Sequence, residues 1–484
     1  MRRNRLSEIR ASTFLAILLC FMGSGCWQRY AQHYKQLDYP KLGDIKTAEV
    51  ERVTLANGMR LFLLEDHELP VVNVWAMIRT GSVYEPADKI GLASITGTVM
   101  RTGGTTSKTG DEIDEELERI AAWVESDIGL NSGSASVSVL KEDLGTGLVI
   151  LADVLMNPAF REDKIELAKI EHCSAIARRN DSVRPIAYRE FKKLIYGAGS
   201  VYARHSEYAT IGNIGRADLV AFHKKFYHPN NIMLGVWGDF DTEEMINRIE
   251  GVFQGWERVD MQPAATPEVR YEFRPTVNLI RKEDINQTMI WLGHIGGLMS
   301  DPDYSALTVM NTILGRGFTG RLFKNVRSRL GLAYSVGGRY SAEYDHPGVF
   351  YVGCQTKSEA TVRSTRAMMR EVERITESEV TDEELALAKE SYLNSFVFRF
   401  DSKGEIVERL MTHEYFGYPP DFLERTRDKV EKVTKEDVLR VARKHLRPDK
   451  LQILCAGRPE DFDEPLSVLG PVREIDITIP APER

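Results

Sequence analysis

A long internal repeat constrains this chain more than any other feature. The segment from Ile214, IGRADLVAFHKKFYHPNNIMLGVWGDFD, is matched by the segment from Val433, VTKEDVLRVARKHLRPDKLQILCAGRPED, at a constant offset of 219 residues. Asp218 falls on Asp437, Lys225 on Lys444, Pro229 on Pro448 and Gly238 on Gly457. Upstream, Leu167-Ala168-Lys169 meets Leu387-Ala388-Lys389 at an offset of 220. Each copy reads as an amphipathic helix, a proline stop, then an apolar strand ending in glycine. Two such matches in register mark a duplication, so the chain must fold as two like halves.

The segment 257–269, ERVDMQPAATPEV, mixes charges with Pro263 and Pro267 and reads as the linker between them. The halves are then 48–256 and 270–470, with a tail at 471–484. In the first half, Val53–Asp66 is a hairpin signal with Asn57-Gly58 at the turn. VVNVWAMIRTGS continues the sheet, and Ser132–Leu140 alternates as a strand. Helical patterns cover about 88–101, 109–124, 142–156 and 162–179. The expected class is α+β: two homologous sandwich halves, each a mixed, largely antiparallel sheet with helices on one face.

Composition excludes several functions. Of 484 residues, 43% are hydrophobic and 28% charged, a globular balance. The net charge is −8, or −11 without residues 1–25, the wrong sign for a nucleic acid partner. Five cysteines form no disulfide framework and no paired zinc spacing; Cys173, Cys354 and Cys455 read as buried free thiols. The start, MRRNRLSEIR, is cationic, and the apolar run Phe14–Met22 is too short to span a bilayer. Residues 1–25 therefore read as a signal peptide and 26–47 as a tether. Gly23-Ser24-Gly25-Cys26 resembles a lipobox, which makes Cys26 the expected lipidation site, with plain cleavage nearby as the alternative. Trp27 rather than Asp after it points to an outer-membrane lipoprotein facing the periplasm, touching the membrane only through that anchor.

The stretches VERVTLANGMRLFLLED, RTGSVYEPADKIGLASITGTVMRTGGT, SVSVLKEDLGTGLVILADVLMNPAF and LGRGFTGRLFKNVRSRLGLAYSV, with the repeated segments, resemble the pitrilysin/insulinase family of zinc metallopeptidases. The likeness spans about residues 48–470 and is to the two-domain type found in bacteria and in mitochondrial processing peptidase. Active members carry His-x-x-Glu-His after a G-L-A segment, because histidines four apart on a helix share one face and can grip Zn²⁺. The intervening Glu activates the zinc-bound water. Here the matching positions hold Ser94, Gly97 and Thr98, and the family's downstream Glu ligand falls at or next to Ala175. Glu171 and His172 lie close by, on a different helical face. No HxxEH or HxxxH occurs elsewhere, and His223 and His228 read as surface histidines at a helix end.

The same resemblance implies that Arg327 and Tyr334, seven residues apart, serve the substrate: a guanidinium for a peptide carbonyl and a phenol for a developing oxyanion. Read without it, Arg327 merely complements the dipole of a helix stopped by Gly331, and Tyr334 merely opens a strand. The run Gly315–Gly320 matches G-x-G-x-x-G but follows a helix, which excludes a dinucleotide fold and leaves Thr319 as a helix cap. The strand 132–140 is either an exposed edge able to add a peptide or an ordinary interior strand. The expected function is a non-catalytic subunit of a pitrilysin-type heterodimer, with no metal or other cofactor of its own. A zinc-bearing partner subunit would cleave unfolded peptides, to which this chain offers Arg327, Tyr334 and a chamber wall. The alternatives are a structural or peptide-binding scaffold and a zinc metallopeptidase acting alone.

Overall fold

Two six-stranded sheets that share five strand positions form the frame. In the first, β1 (Glu51–Thr54), β2 (Arg60–Glu65), β3 (Val71–Ile78), β4 (Trp123–Ile128), β5 (Gly133–Leu140) and β6 (Ile232–Gly238) lie in the order β1-β2-β6-β3-β5-β4. The second contains β7 (Thr276–Arg281), β8 (Gln287–Ile295), β10 (Ala333–Tyr340), β12 (Val349–Lys357), β13 (Gln452–Gly457) and β14 (Val472–Glu474). Its order, β14-β7-β13-β8-β12-β10, repeats the first at five of six positions. The outermost differs, since β1 precedes β2 and pairs with it antiparallel, whereas β14 comes from the tail and pairs with β7 in parallel. Short strands β9 (Gly297–Leu298) and β11 (Ala342–Glu343) pair separately. The structure is a computed structural model describing residues 49–260 and 265–482. Cys26, the leader, the tether and residues 261–264 lie outside the described residues.

The repeat is visible down to single hydrogen bonds. Lys169 Nζ donates to the Ile214 carbonyl at 3.2 Å, and Lys389 Nζ to the Val433 carbonyl at 3.0 Å. Asp218 and Asp437 each accept from the backbone N–H at the start of their helix, Gly215 at 2.9 Å and Thr434 at 3.2 Å, and Thr434 completes a capping box with its hydroxyl. The expected hairpin also forms: β1 and β2 pair antiparallel, and Gly58 at φ 89° takes the left-handed turn position.

Alternation along the strands places the core. Val72, Val74, Ala76 and Ile78 of β3 face one way, into a cluster with α1 (Leu92–Thr102), α3 (Leu144–Met156), α4 (Glu162–Arg178), α7 (Arg216–Phe226) and α8 (Thr242–Val252). Between them lie α2 (Gly110–Arg119), α5 (Val183–Tyr196) and the short α6 (Tyr208–Gly212). Helices of the second half are α9 (Tyr304–Gly315), α10 (Phe323–Arg329), α11 (Thr361–Glu377), α12 (Asp382–Phe396), α13 (Lys403–Phe416), α14 (Phe422–Lys432) and α15 (Lys435–His445).

The opposite face of each sheet receives one helix from the other half. Val407 and Met411 of α13 pack on Phe62, Leu64, Met77 and Met233 of the first sheet. Gly235 makes room, since a Cβ there would lie 2.6 Å from Met411 Sδ and Val407 Cγ1. Reciprocally, Ile186, Ala187, Phe191 and Ile195 of α5 pack on Met289, Trp291, Leu454 and Ala456 of the second. The tail contributes as well. β14 runs parallel to β7, and the Ile477 carbonyl accepts from Asn180 of the first half at 2.6 Å.

One element differs from the sequence expectation. The helix expected over 109–124 stops at Arg119; Ala121 turns the chain at φ 49°, and Trp123 begins β4. β4 is the outer strand of its sheet, so Ser132–Leu140 becomes an interior strand (β5) between β3 and β4 and has no free edge.

Candidate functional site

Helix α1 carries the positions of the zinc motif. Gly91, at φ 110°, turns the chain into it, and Glu85 Oε1 accepts from Gly91 and Ala93 N–H at 3.2 and 2.6 Å. Burial raises the Glu85 carboxyl pKa. Ser94 and Thr98 are half-buried and share one helical face, with Gly97 buried between them. A Cβ on Gly97 would lie 2.5 Å from Ile128 N and 2.8 Å from the Asp127 carbonyl carbon, both backbone atoms of β4. Ser126 Oγ donates to the Gly97 carbonyl at 2.6 Å and fastens strand to helix.

These residues do not fit Zn²⁺. Two aliphatic hydroxyls are poor ligands where imidazoles are required, and there is no space at position 97 for a carboxylate. On α4, Ala175 presents an exposed methyl group and Glu171 is exposed. His172 is half-buried, and that burial lowers its pKa. Among the described residues, Asp301, Asp303 and His445 do converge. Asp303 is already fully engaged, however: Arg440 at 2.7 Å on one oxygen, Lys444 at 2.6 Å and His445 Nε2 at 2.8 Å on the other. It reads as a structural ion cluster.

His223 is not a surface residue. It is buried, its Nε2 lies 2.9 Å from the Leu155 carbonyl, and burial pushes its pKa down to about 4. It sits on the inner face of α7, against Phe160 and Tyr227, which the polar residues around it in sequence concealed. Cys354 and Cys455 are buried as expected, whereas Cys173 is half-buried.

The Arg/Tyr pair is assembled by irregular backbone. Helix α10 is wound with i→i+5 bonds, Leu330 N–H reaching the Asn325 carbonyl at 3.0 Å, and Gly331 ends it at φ 63°. Such widened turns recur at functional sites. Arg321, buried ahead of it, grips Glu384 through two bonds of 2.7 and 2.8 Å. Thr319 makes no capping bond there; Lys324 N–H bonds the Gly320 carbonyl at 3.0 Å instead. Across from α10, the register of β10 with β12 slips between Ala333 and Ser335, so Tyr334 occupies a bulge and stands 84% exposed. The Arg327 guanidinium lies 4.9 Å from the Tyr334 ring centroid and 4.5 Å from that of Phe323. It has no carboxylate partner among the described residues. The pair borders an open cavity of about 610 Å³. This arrangement presents a cation and a phenol to solvent with no internal charge to satisfy.

Residues 60–192 match the family model "Insulinase (Peptidase family M16)", and residues 213–392 match "Peptidase M16 inactive domain". The chain belongs to the M16 peptidase family, and it carries that family's inactive-type domain. It is 28% identical over 346 residues to an uncharacterized zinc protease of Rickettsia bellii, covering 69% of this chain and 80% of that protein. A Bacillus subtilis protein of the same description is 25% identical over 361 residues, covering 74% and 87%. Among solved structures, an M16 inactive domain from Pseudomonas fluorescens superposes with TM-score 0.74 at 24% identity, covering 85% of this chain and 98% of that one. A protease from Helicobacter pylori gives TM-score 0.74 at 17% identity, with 85% and 100% covered. At these identities the structures establish the fold.

Proposed function

We propose that this chain is the non-catalytic subunit of an M16 peptidase heterodimer, with no zinc of its own. A partner subunit bearing His-x-x-Glu-His would hold the zinc ion, and unfolded peptides would be the substrate. This chain would supply part of the chamber wall, with Arg327 orienting a peptide carbonyl and Tyr334 donating to the developing oxyanion. The observation that carries the reading is Gly97: the position matched to the family's general base is packed against the β4 backbone, while Tyr334 stands exposed and Arg327 has no carboxylate partner among the described residues. Lipidation at Cys26 would hold the complex on the periplasmic side of the outer membrane.

The test is reconstitution with an M16 subunit from the same organism that has an intact His-x-x-Glu-His. The chain alone should cleave no peptide and hold no stoichiometric zinc; the pair should turn over, and Arg327→Ala should lower that turnover without loosening assembly. Stacking of Arg327 between two rings favours a second reading, a peptide-binding or structural scaffold with no proteolytic role. Unchanged turnover of the Arg327→Ala pair would select it. One tight zinc per isolated chain would overturn both.

A further inference from the structure

The crossing helix α5 covers β8 and β13 and reaches only the start of β12, where Val349 and Tyr351 join its cluster, so the rest of β12 and β10 lie outside that cluster on the same face. Residues directly opposite in an antiparallel pair point to one side. Three such pairs, Ser335–Gln355, Gly337–Gly353 and Arg339–Tyr351, form the floor there. The two glycines in the middle row leave a trough. Trp291 continues that row on β8, with a buried indole N–H that has no hydrogen-bond partner.

The trough is a cavity of about 450 Å³, within the range of sites that enclose small ligands. Its charges all have one sign. Arg339 comes from the floor, Arg184 from the first turn of α5 and Arg316 from the loop after α9, and no Asp or Glu lines it. None of the three forms an ion pair or hydrogen bond with another described residue. In a chain of net charge −8 this convergence is not a background property of the surface. Guanidinium groups offer paired donors that match a carboxylate, and exposed glycine backbone and aromatic rings suit an extended peptide.

We propose that this trough binds a carboxylate-bearing peptide segment, anchored by Arg184, Arg316 and Arg339. The carboxylate would be either a chain terminus or an acidic side chain. The site is separate from the Arg327/Tyr334 cavity and requires no partner subunit, so it stands or falls independently of the peptidase-subunit reading.

The experiment is fluorescence anisotropy on the full chain with four labelled ten-residue peptides: an acidic peptide and its Gln/Asn counterpart, each with a free or an amidated C-terminus. The acidic, free-ended peptide should bind at least about tenfold tighter than the neutral, amidated one, with affinity falling as salt rises. Loss on amidation alone assigns the anchor to the terminus; loss on Gln/Asn replacement alone assigns it to side chains. Single Arg→Gln variants at 184, 316 and 339 should each weaken binding about threefold, and the triple variant should abolish the preference. All three side chains are exposed, so an unchanged circular dichroism melt is expected of each variant. Arg248→Gln, on α8 of the first half, should leave the preference intact. Equal binding of all four peptides, or a preference that survives in the triple variant, would overturn the proposal. So would its loss in Arg248→Gln, or inorganic phosphate competing as strongly as the peptide.

Discussion

The outer ends of the two sheets have the same construction and opposite surfaces. In the first half, α1 packs on outer strand β4 through Gly97, 2.5 Å from Ile128 N as measured from an added Cβ. In the second, α9 packs on outer strand β10 through Gly315, whose Cβ would lie 2.5 Å from Gly338 N. The faces turned away from those helices diverge. On β4, Trp123, Glu125 and Asp127 stand exposed opposite Ser138, Ser136 and Ser134. On β10, the corresponding face carries Ser335, Gly337 and Arg339. Duplication thus kept the backbone contacts, which admit no side chain, and left the free faces to acquire opposite charge.

The crossing helices offer the most severe test of the idea that the halves are structural equivalents. Phe191 of α5 and Met411 of α13 are both fully buried, each against the other half's sheet. Phe191→Ala should cost about 3–5 kcal/mol and Met411→Ala about 2–5 kcal/mol in denaturant unfolding. Because each helix seals the opposite half, both variants should lower one common transition. Two separated transitions would show that the halves are stabilised independently.

A smaller effect is expected at the paired glycines. Gly97→Ala and Gly315→Ala should each destabilise by about 1–3 kcal/mol, since the methyl group meets backbone that cannot swing aside. Installing Ser94→His, Gly97→Glu and Thr98→His together should cost at least as much and should yield no tight zinc by metal analysis. A stable, zinc-loaded triple variant would break the comparison by showing that β4 can retreat from α1.

Much of this frame was legible in the sequence, and the exceptions have physical causes. Offsets of 219 and 220 marked the repeat because Lys169 and Lys389, like Asp218 and Asp437, make the same bonds. The positions matched to the zinc motif fall on one helix, as their spacing expects. That β4 exists was hidden, because Ile120-Ala121-Ala122 carries no turn residue, yet Ala121 takes a positive φ. Ile186, Phe191 and Ile195 announce an apolar helix face, but nothing in their spacing says that it serves the other half. The strand in the tail is three exposed residues, Val472–Glu474, held by backbone pairing to β7 and a surface contact of Glu474 with Arg281. Arg184, Arg316 and Arg339 meet only through the fold.

Each half also contains a histidine, His223 in the first and His294 in the second, whose burial lowers its pKa to about 4 and favours the neutral ring. His294 accepts from Arg447 N–H at 3.2 Å through Nε2, while its Nδ1 lies 2.7 Å from the Ile295 carbonyl, an arrangement that suits the neutral ring. The unfolded chain takes up these protons near pH 6.5 and the folded chain only near 4, so stability is lost as pH falls through that window. Each histidine should account for about 1–2 kcal/mol by pH 5. His223→Gln and His294→Gln should each flatten the dependence of unfolding free energy on pH between 6.5 and 4; an unchanged slope would mean that the ring is already solvated.

The smallest stability effect is expected where function is proposed. Tyr334 is 84% exposed and Arg327 touches it only by ring stacking, a contact worth about 0.5–1 kcal/mol at an exposed site. Arg327→Ala and Tyr334→Phe should therefore leave the unfolding midpoint nearly unchanged, in contrast to Gly97 and Gly315, where backbone packing is at stake. If the bulge at Tyr334 and the widened turn at Arg327 exist to present these groups to a peptide, both variants should still depress turnover of the reconstituted pair. A melt lowered as far as that of Gly315→Ala, with turnover per folded complex unchanged, would instead make Arg327 and Tyr334 part of the scaffold.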